Sequence, residues 1–429
     1  MKVAINPAQG LTGEVRVPGD KSISHRGIML GAISQGRTRL RNFLKGQDCI
    51  TTAEAFESMG IETRTEDGDL IICGKGLHGL LPPSKAIYAG NSGTTARLIS
   101  GILAGQSFTS TLDGDESLRK RPMRRIILPL EKMGAQIGAF NEDFLPLNIR
   151  ANRTGVLKGI DYRLPVASAQ VKSAIILAAL YAEGKTKIRQ NAISRDHTEI
   201  MLKQLGGLVK SSGMTLTIEP PDQLYGQDID VPGDISSAAY LITAAMLTGK
   251  SQLLIKNVGT NPTRTGILDV YEKMGATIST NPKKQDGGEP MADILIKSSD
   301  LKGTTIGGDI IPRLIDEIPI IALAATQAHG TTIIRDAQEL KVKESNRIDT
   351  VVNMLNSFGA DITATHDGMV IKGPTPLSGA AIYSSMDHRI ALTCAVAGLI
   401  AEGQTTILDS QWVDISYPGF FETIKKLRS

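Results

Sequence analysis

The sequence predicts an α/β protein of two similar domains, each made of three βαβαββ units around buried helices. Three observations lead there. An apolar helix, a glycine turn and an alternating strand recur along the chain, marked by Gly36, Gly105, Gly184, Gly249, Gly330 and Gly403 at intervals of about seventy residues. A second helix then closes on a large apolar residue and glycine, as in Met59-Gly60, Met133-Gly134, Leu205-Gly206, Met274-Gly275 and Phe358-Gly359. Glycine there is the expected left-handed cap. Lastly, Val-Pro-Gly-Asp stands at both 17–20 and 231–234, once before each half.

Taken in order, the opening piece 1–20 is expected to pair with the second half, whose first unit lacks a strand. The predicted domains are therefore 21–232, and 233–429 together with 1–20. Lys21-Ser22-Ile23-Ser24-His25-Arg26 then opens the first buried helix. Free backbone N–H groups and the positive dipole end already favour an anion at that point. Two cations there gain nothing from the dipole, so a bound anion explains them better than helix stability does. The first helix of each unit is apolar almost all round, as in 173–182, 238–247 and 318–325, which marks it as buried. The second helix is amphipathic and belongs outside. A doubly wound nucleotide-binding fold would need a phosphate loop. Gly184-Lys185-Thr186 and Gly249-Lys250-Ser251 resemble the end of one, but Ala179 and Ala244 stand where its first glycine is required.

Composition narrows the function. With 429 residues the chain is too long for one ordinary core. A net charge of +3 gives no reason to expect nucleic acid or a membrane surface as partner. Cys49, Cys73 and Cys394 are scattered and odd in number, which fits a reducing, cytoplasmic setting. Neither a signal peptide nor an apolar run long enough to span a bilayer is present.

Polar residues gather where the six buried helices begin. In the first half they are Lys21–Arg26, Asn91-Ser92-Gly93-Thr94-Thr95-Ala96-Arg97 and Ser168-Ala169-Gln170-Val171-Lys172. In the second half the expected starts are Asp234, Asp316 and Asp387, all good N-caps, and capping is the preferred reading for Asp234. Basic segments recur at the joints after the strands: Arg119-Lys120-Arg121, Arg195-Asp196-His197-Thr198-Glu199, Lys341-Val342-Lys343-Glu344-Ser345-Asn346-Arg347 and Asp387-His388-Arg389. Such a pattern suits a multiply anionic ligand.

These residues resemble the enolpyruvyl transferases along the whole chain. The carriers are Lys21-Ser22-x-Ser24-x-Arg26, Gly90-Asn91-Ser92-Gly93-Thr94, Arg121-Pro122-Met123, Ser168-Ala169-Gln170, Arg195-Asp196-His197-Thr198-Glu199, Lys343-Glu344-Ser345-x-Arg347 and Asp387-His388-Arg389. The resemblance is strongest to the branch that acts on shikimate 3-phosphate. It implies two inside-out α/β barrels with the active site in the cleft between domains that close over the substrates. Carried over, Lys21, Ser22, Arg26, Ser168, Ala169, Gln170, Arg195, Asp316 and Lys343 would hold shikimate 3-phosphate. Lys21, Gly93, Arg121, Gln170, Arg347 and Arg389 would hold phosphoenolpyruvate. Asp316, Lys21 and Glu344 would carry the proton transfers of an addition–elimination. Two substrates with a phosphate and a carboxylate each need several cations, and arginine matches both groups bidentately. One feature departs from part of the family: Ile415 precedes Ser416-Tyr417-Pro418, where that branch has lysine.

No cofactor and no metal are expected, since no His, Cys or carboxylate spacing suits an ion. The expected form is a monomer. One rival is an enzyme transferring enolpyruvate to UDP-N-acetylglucosamine, but the reactive cysteine typical of those enzymes is missing from 113–125. The other is a repeat-built binding scaffold, for instance for nucleic acid, which would show basic residues along one face and aromatics for stacking, whereas aromatics are only 4% and the cations sit at the joints between units.

Overall fold

In the computed structural model, which describes residues 1–151, 156–284 and 287–428, the chain divides into two compact units. One comprises Gly19–Val231 with a short piece ending at Glu289. The other comprises Met1–Pro18 and the remainder from Pro232 onward.

The first-half unit repeats one sheet design. Ile87–Tyr88 and Ser110–Asp113 run parallel, joined through the buried helix Gly93–Ala104. Parallel neighbours need a crossover of this kind. Ile137–Phe140 and Phe144–Ile149 then form an antiparallel hairpin whose second strand lies beside Ser110–Asp113. The sheet of Asp161–Arg163, Thr186–Arg189, Leu208–Ser212 and Thr215–Glu219 has the same order. In the sheet of Gln35–Arg41 the parallel neighbour is Asp228–Asp230, from the far end of this half.

Thr12–Arg16, which precedes the first buried helix in sequence, pairs instead with Gln252–Gly259 within the second-half unit. That unit has two sheets of the full design and a third of three strands, Val3–Ile5, Thr405–Ile407 and Ala381–Ile382. Here the structure departs from the expected repeat. After Thr405–Ile407 the chain enters a 3₁₀ turn, Ser410–Ile415, and the helix Phe420–Leu427. The antiparallel partner comes from the chain start. Gly403 marks the turn before the strand and carries no information about a hairpin after it.

The helices expected to be enclosed are buried along most of their length: Lys21–Ala32, Gly93–Ala104 and Ala169–Ala179 in one unit, and Ile235–Leu247, Ile318–Thr326 and His388–Ile400 in the other. The second set all pack on one another, and Gly93–Ala104 packs on both of its companions. The glycines behave largely as expected. All five that close a second helix have φ between +84° and +100°. Gly36, Gly184, Gly330 and Gly403 also have positive φ, but Gly105 and Gly249 do not. Gly105 is required by space, because a Cβ there would lie 2.2 Å from the Tyr181 ring. Among the described residues no helix is long and apolar enough to cross a membrane.

Gly101 allows the backbones of two buried helices to approach, since a Cβ on it would lie 2.2 Å from the carbonyl oxygen of Ala174. Gly101→Ala should therefore destabilise the protein by about 2 kcal/mol or more, as overpacking against backbone does. Equilibrium urea unfolding checks this, and an unchanged midpoint would show that the helices can part at little cost.

Candidate active site

The buried helices of the first-half unit begin with caps that leave functional side chains beside them. Asp20 accepts from Ile23 N at 2.9 Å, Ser92 from Thr95 N at 3.1 Å and Ser168 from Val171 N at 3.4 Å. Lys21, the first helical residue, forms an ion pair with Asp48. Ser22, Ser168, Ala169, Gln170 and Arg195 are partly exposed.

Arg26 lies deeper. Its Nε donates to Thr198 Oγ1 at 2.7 Å, one terminal nitrogen to Ser173 Oγ at 3.0 Å and the other to Ser22 O at 2.9 Å. Burial lowers its proton affinity to a pKa of about 10, with Glu199 opposing the shift. Lys172, two residues after the Ser168-Ala169-Gln170 motif, is fully buried and pairs with Glu199 at 2.6 Å and Ser194 O at 3.0 Å. It ties two helices together.

A second cluster surrounds the start of Gly93–Ala104. Arg97 donates to Gln170 Oε1 at 2.7 Å and to Pro122 O at 3.2 Å, while Gln170 Nε2 donates to Thr94 Oγ1 at 3.2 Å. Arg121 donates to Asn91 Oδ1 at 2.7 Å. A Cβ on Gly93 would meet Arg97 at 3.3 Å and Arg121 at 3.6 Å, so the glycine keeps backbone close to both guanidinium groups.

In the second-half unit Asp234 and Asp387 cap their helices, accepting from Ser236 N at 2.8 Å and Arg389 N at 2.9 Å. Asp316 does not fit the expectation of a helix-starting Asp. The helix begins at Ile318 behind Glu317, and no side chain caps it. Asp316 instead faces three cations: Oδ1 is 3.5 Å from Lys343 Nζ and 3.5 Å from Arg347, and Oδ2 is 3.8 Å from Arg389. Arg389 also donates to Asp316 O at 3.0 Å.

Arg347 is the buried centre of this group. It donates to both oxygens of Asp387, at 2.8 and 3.2 Å, and to Glu344 at 2.6 Å. Burial opposes the charge on Asp387, yet Arg347 more than offsets that and holds its carboxyl below the usual range. In the same way burial acts against the Arg347 and Arg389 charges, while Asp387 and Asp316 respectively raise their proton affinity above the ordinary value. Such pairing is what keeps buried charges ionised.

The geometry thus joins Asp316, Lys343, Glu344, Arg347 and Arg389 in one unit, and Gly93, Arg121 and Gln170 in the other. Sequence reasoning missed Asp48, Arg264, Glu289 and Glu317 as charged neighbours of these groups. It quoted Arg97 without a role, although Arg97 follows Gly93 at helical i,i+4 spacing, which could have signalled a shared face. Glu289 had no such signal: it pairs with buried His197 at 2.6 Å, far away in sequence.

Three comparisons bear on identity. The family model described as EPSP synthase (3-phosphoshikimate 1-carboxyvinyltransferase) matches residues 5–424. A Bacillus cereus protein named 3-phosphoshikimate 1-carboxyvinyltransferase is 53% identical over 419 residues, covering 97% of each chain. One of the same name from Listeria innocua is 51% identical over 429 residues, all of both chains. A solved EPSP synthase from Acinetobacter baumannii superposes with a TM-score of 0.89 at 43% identity, covering 100% of this chain and 98% of that one.

His25 provides a pH test of this region. It is wholly buried, with Nδ1 2.7 Å from Thr52 Oγ1, and burial depresses its pKa from 6.5 to about 3. The unfolded chain binds a proton below about pH 6.5 that the folded chain refuses, so stability falls as pH drops through that window. Between about pH 7 and about pH 5 the loss should reach about 2 kcal/mol and should largely vanish in His25→Asn. Urea midpoints at the two pH values decide it, and equal slopes would contradict the assignment.

Proposed function

This chain belongs to the EPSP synthase family, and on that footing we propose how its residues divide the work. It transfers the enolpyruvyl group of phosphoenolpyruvate to the 5-hydroxyl of shikimate 3-phosphate and releases phosphate, a step of aromatic amino acid biosynthesis. Nothing found favours the UDP-N-acetylglucosamine or scaffold reading.

Lys21, Ser22, Arg26, Ser168, Ala169, Gln170 and Arg195 hold shikimate 3-phosphate together with Asp316 and Lys343. Phosphoenolpyruvate takes Gly93, Arg121, Arg347 and Arg389, shared with Lys21 and Gln170. The observation that carries the reading is the convergence of Lys343, Arg347 and Arg389 on the Asp316 carboxylate. Cations held by a carboxylate are positioned for anions, and an anion that takes them up releases the carboxylate. Asp316 then accepts the proton of the 5-hydroxyl as its oxygen adds to C2 of the enol. C3 gains a proton in that step and loses one when phosphate leaves. Lys21 and Glu344 handle that proton and the departing phosphate. Glu344 becomes available for this once a substrate anion replaces it on Arg347.

No metal or cofactor takes part in this scheme. The protein works as a cytoplasmic monomer, the cytoplasmic setting being supported by its scattered cysteines.

Phosphate release on mixing the two substrates tests the activity. In Asp316→Ala turnover should fall far more than substrate binding, because a lost base acts on the transition state. A fall within about threefold, under 1 kcal/mol, would exclude Asp316 as the base.

Glyphosate, a longer ligand than phosphoenolpyruvate, is read as competing for the site beside Gly93, so Gly93→Ala should raise its inhibition constant about ten- to a hundredfold while the KM for phosphoenolpyruvate rises much less. The added methyl points toward Arg97 and Arg121, and Gly93 has no positive φ to protect, so the variant should fold. If both constants rise in step, Gly93 is not the discriminating contact.

A further inference from the structure

Behind Asp316 lies a second carboxylate that the reaction scheme leaves unused. The Glu317 side chain is fully buried. It stands at the start of the helix Ile318–Thr326 but makes no capping bond, so the helix end does not account for it. Ser236 Oγ donates to its Oε1, and a terminal nitrogen of Arg264 lies 3.9 Å from the same oxygen. That Arg264 nitrogen donates to Ser236 Oγ at 2.7 Å and lies 3.4 Å from Asp234. A terminal nitrogen of Arg389 also lies 3.7 Å from Glu317 Oε1. Among the described residues Glu317 Oε2 is buried with no hydrogen-bond partner.

A buried carboxylate with one unused oxygen is costly, and it persists where its charge serves a neighbour. The neighbour that faces substrate is Arg389. Its guanidinium donates to the Asp316 main-chain oxygen at 3.0 Å and lies at ion-pair distance from two consecutive carboxylates, Asp316 at 3.8 Å and Glu317 at 3.7 Å. Asp316 is slightly exposed and shared among three cations, so an arriving anion can displace it. Glu317 is enclosed and cannot leave. A planar guanidinium binds an anion well only when its fork is held in a fixed plane.

We infer that Glu317 is the positioning residue for Arg389, holding its guanidinium from behind so that the outer edge meets an anionic group of phosphoenolpyruvate. This rests on the reading of Arg389 as a phosphoenolpyruvate ligand. Arg264 and Ser236 in turn fix Glu317. Adjacent carboxylates thereby divide two tasks, with exchange at 316 and anchorage at 317.

Glu317→Gln keeps the volume and the Ser236 contact but removes the charge. In the full-length enzyme its KM for phosphoenolpyruvate should rise about tenfold. Its kcat and KM for shikimate 3-phosphate should change less than about threefold, with the melting midpoint little altered. A purely structural role would move the midpoint and both KM values together, and that outcome overturns the inference. Arg389→Lys, measured alongside, should also raise the KM for phosphoenolpyruvate, and the double variant should be little worse than Arg389→Lys alone. Additive effects, or a rise in Arg389→Lys with none in Glu317→Gln, overturn the positioning role and leave the ligand reading standing. No rise in Arg389→Lys removes the ligand reading itself, and the inference with it. Should Glu317→Gln not fold, Glu317→Asp carries the same comparison, since it keeps the charge but draws it back by one methylene.

Discussion

A helix that is apolar on every side has to be enclosed on every side, and that constraint shapes both units. Sheets form the walls, and small residues such as Gly101 let the enclosed backbones meet. Enclosure leaves the helix ends as the place where polar groups are needed beside the core, because the first N–H groups have no partner within the helix. Asp20, Ser92, Ser168, Asp234 and Asp387 satisfy them. Once capped, those ends can hold further polar side chains at low cost. Lys21, Gly93, Gln170 and Arg389 all lie within two residues of such a cap.

Arg26 is neutralised differently from Arg347 and Arg389, although buried Lys172 in its own unit does pair with the Glu199 carboxylate. Arg26 in the first half rests on hydroxyls and a main-chain oxygen, and burial leaves its pKa at about 10. Arg347 and Arg389 in the second half rest on carboxylates, which raise their proton affinity despite burial. A neutral hydroxyl does not discharge a cation, so an anion reaching the first group adds a counter-charge. An anion reaching the second group must take the place of one. Affinity there depends on outcompeting a resident carboxylate, which favours phosphate and carboxylate ligands that bind arginine bidentately.

Much of this architecture was legible because its causes are local. Left-handed glycines such as Gly60 and Gly359 follow from the backbone they terminate, and apolar runs such as 238–247 show burial directly. Caps at Asp234 and Asp387 are written in one residue each. What escaped depends on distant partners. Asp316 looked like a third cap, and only the fold reveals that Lys343, Arg347 and Arg389 surround it. Gly105 looked like a turn glycine but answers to the Tyr181 ring. Glu317 reads as one more acidic residue until Arg264, Ser236 and Arg389 are found around it. The shortened sixth sheet was hidden for a related reason, since its missing strand is supplied by the other end of the chain.

The partners of Arg347 differ in how easily they can be exchanged. Asp387 is fully enclosed, grips the guanidinium through both oxygens and caps the helix His388–Ile400 as well. Removing one member of a buried pair of this kind costs about 3–5 kcal/mol. Glu344 sits at the rim with its side chain 25% exposed and reaches Arg347 through Oε2. Releasing a partly exposed partner costs less than that, because water takes over part of its solvation. In the proposed scheme an anion arriving at Arg347 takes the place of Glu344 more readily than that of Asp387. Under that proposal, binding and the release of a proton-handling carboxylate become one event, and the more exposed of the two pairs is what allows it.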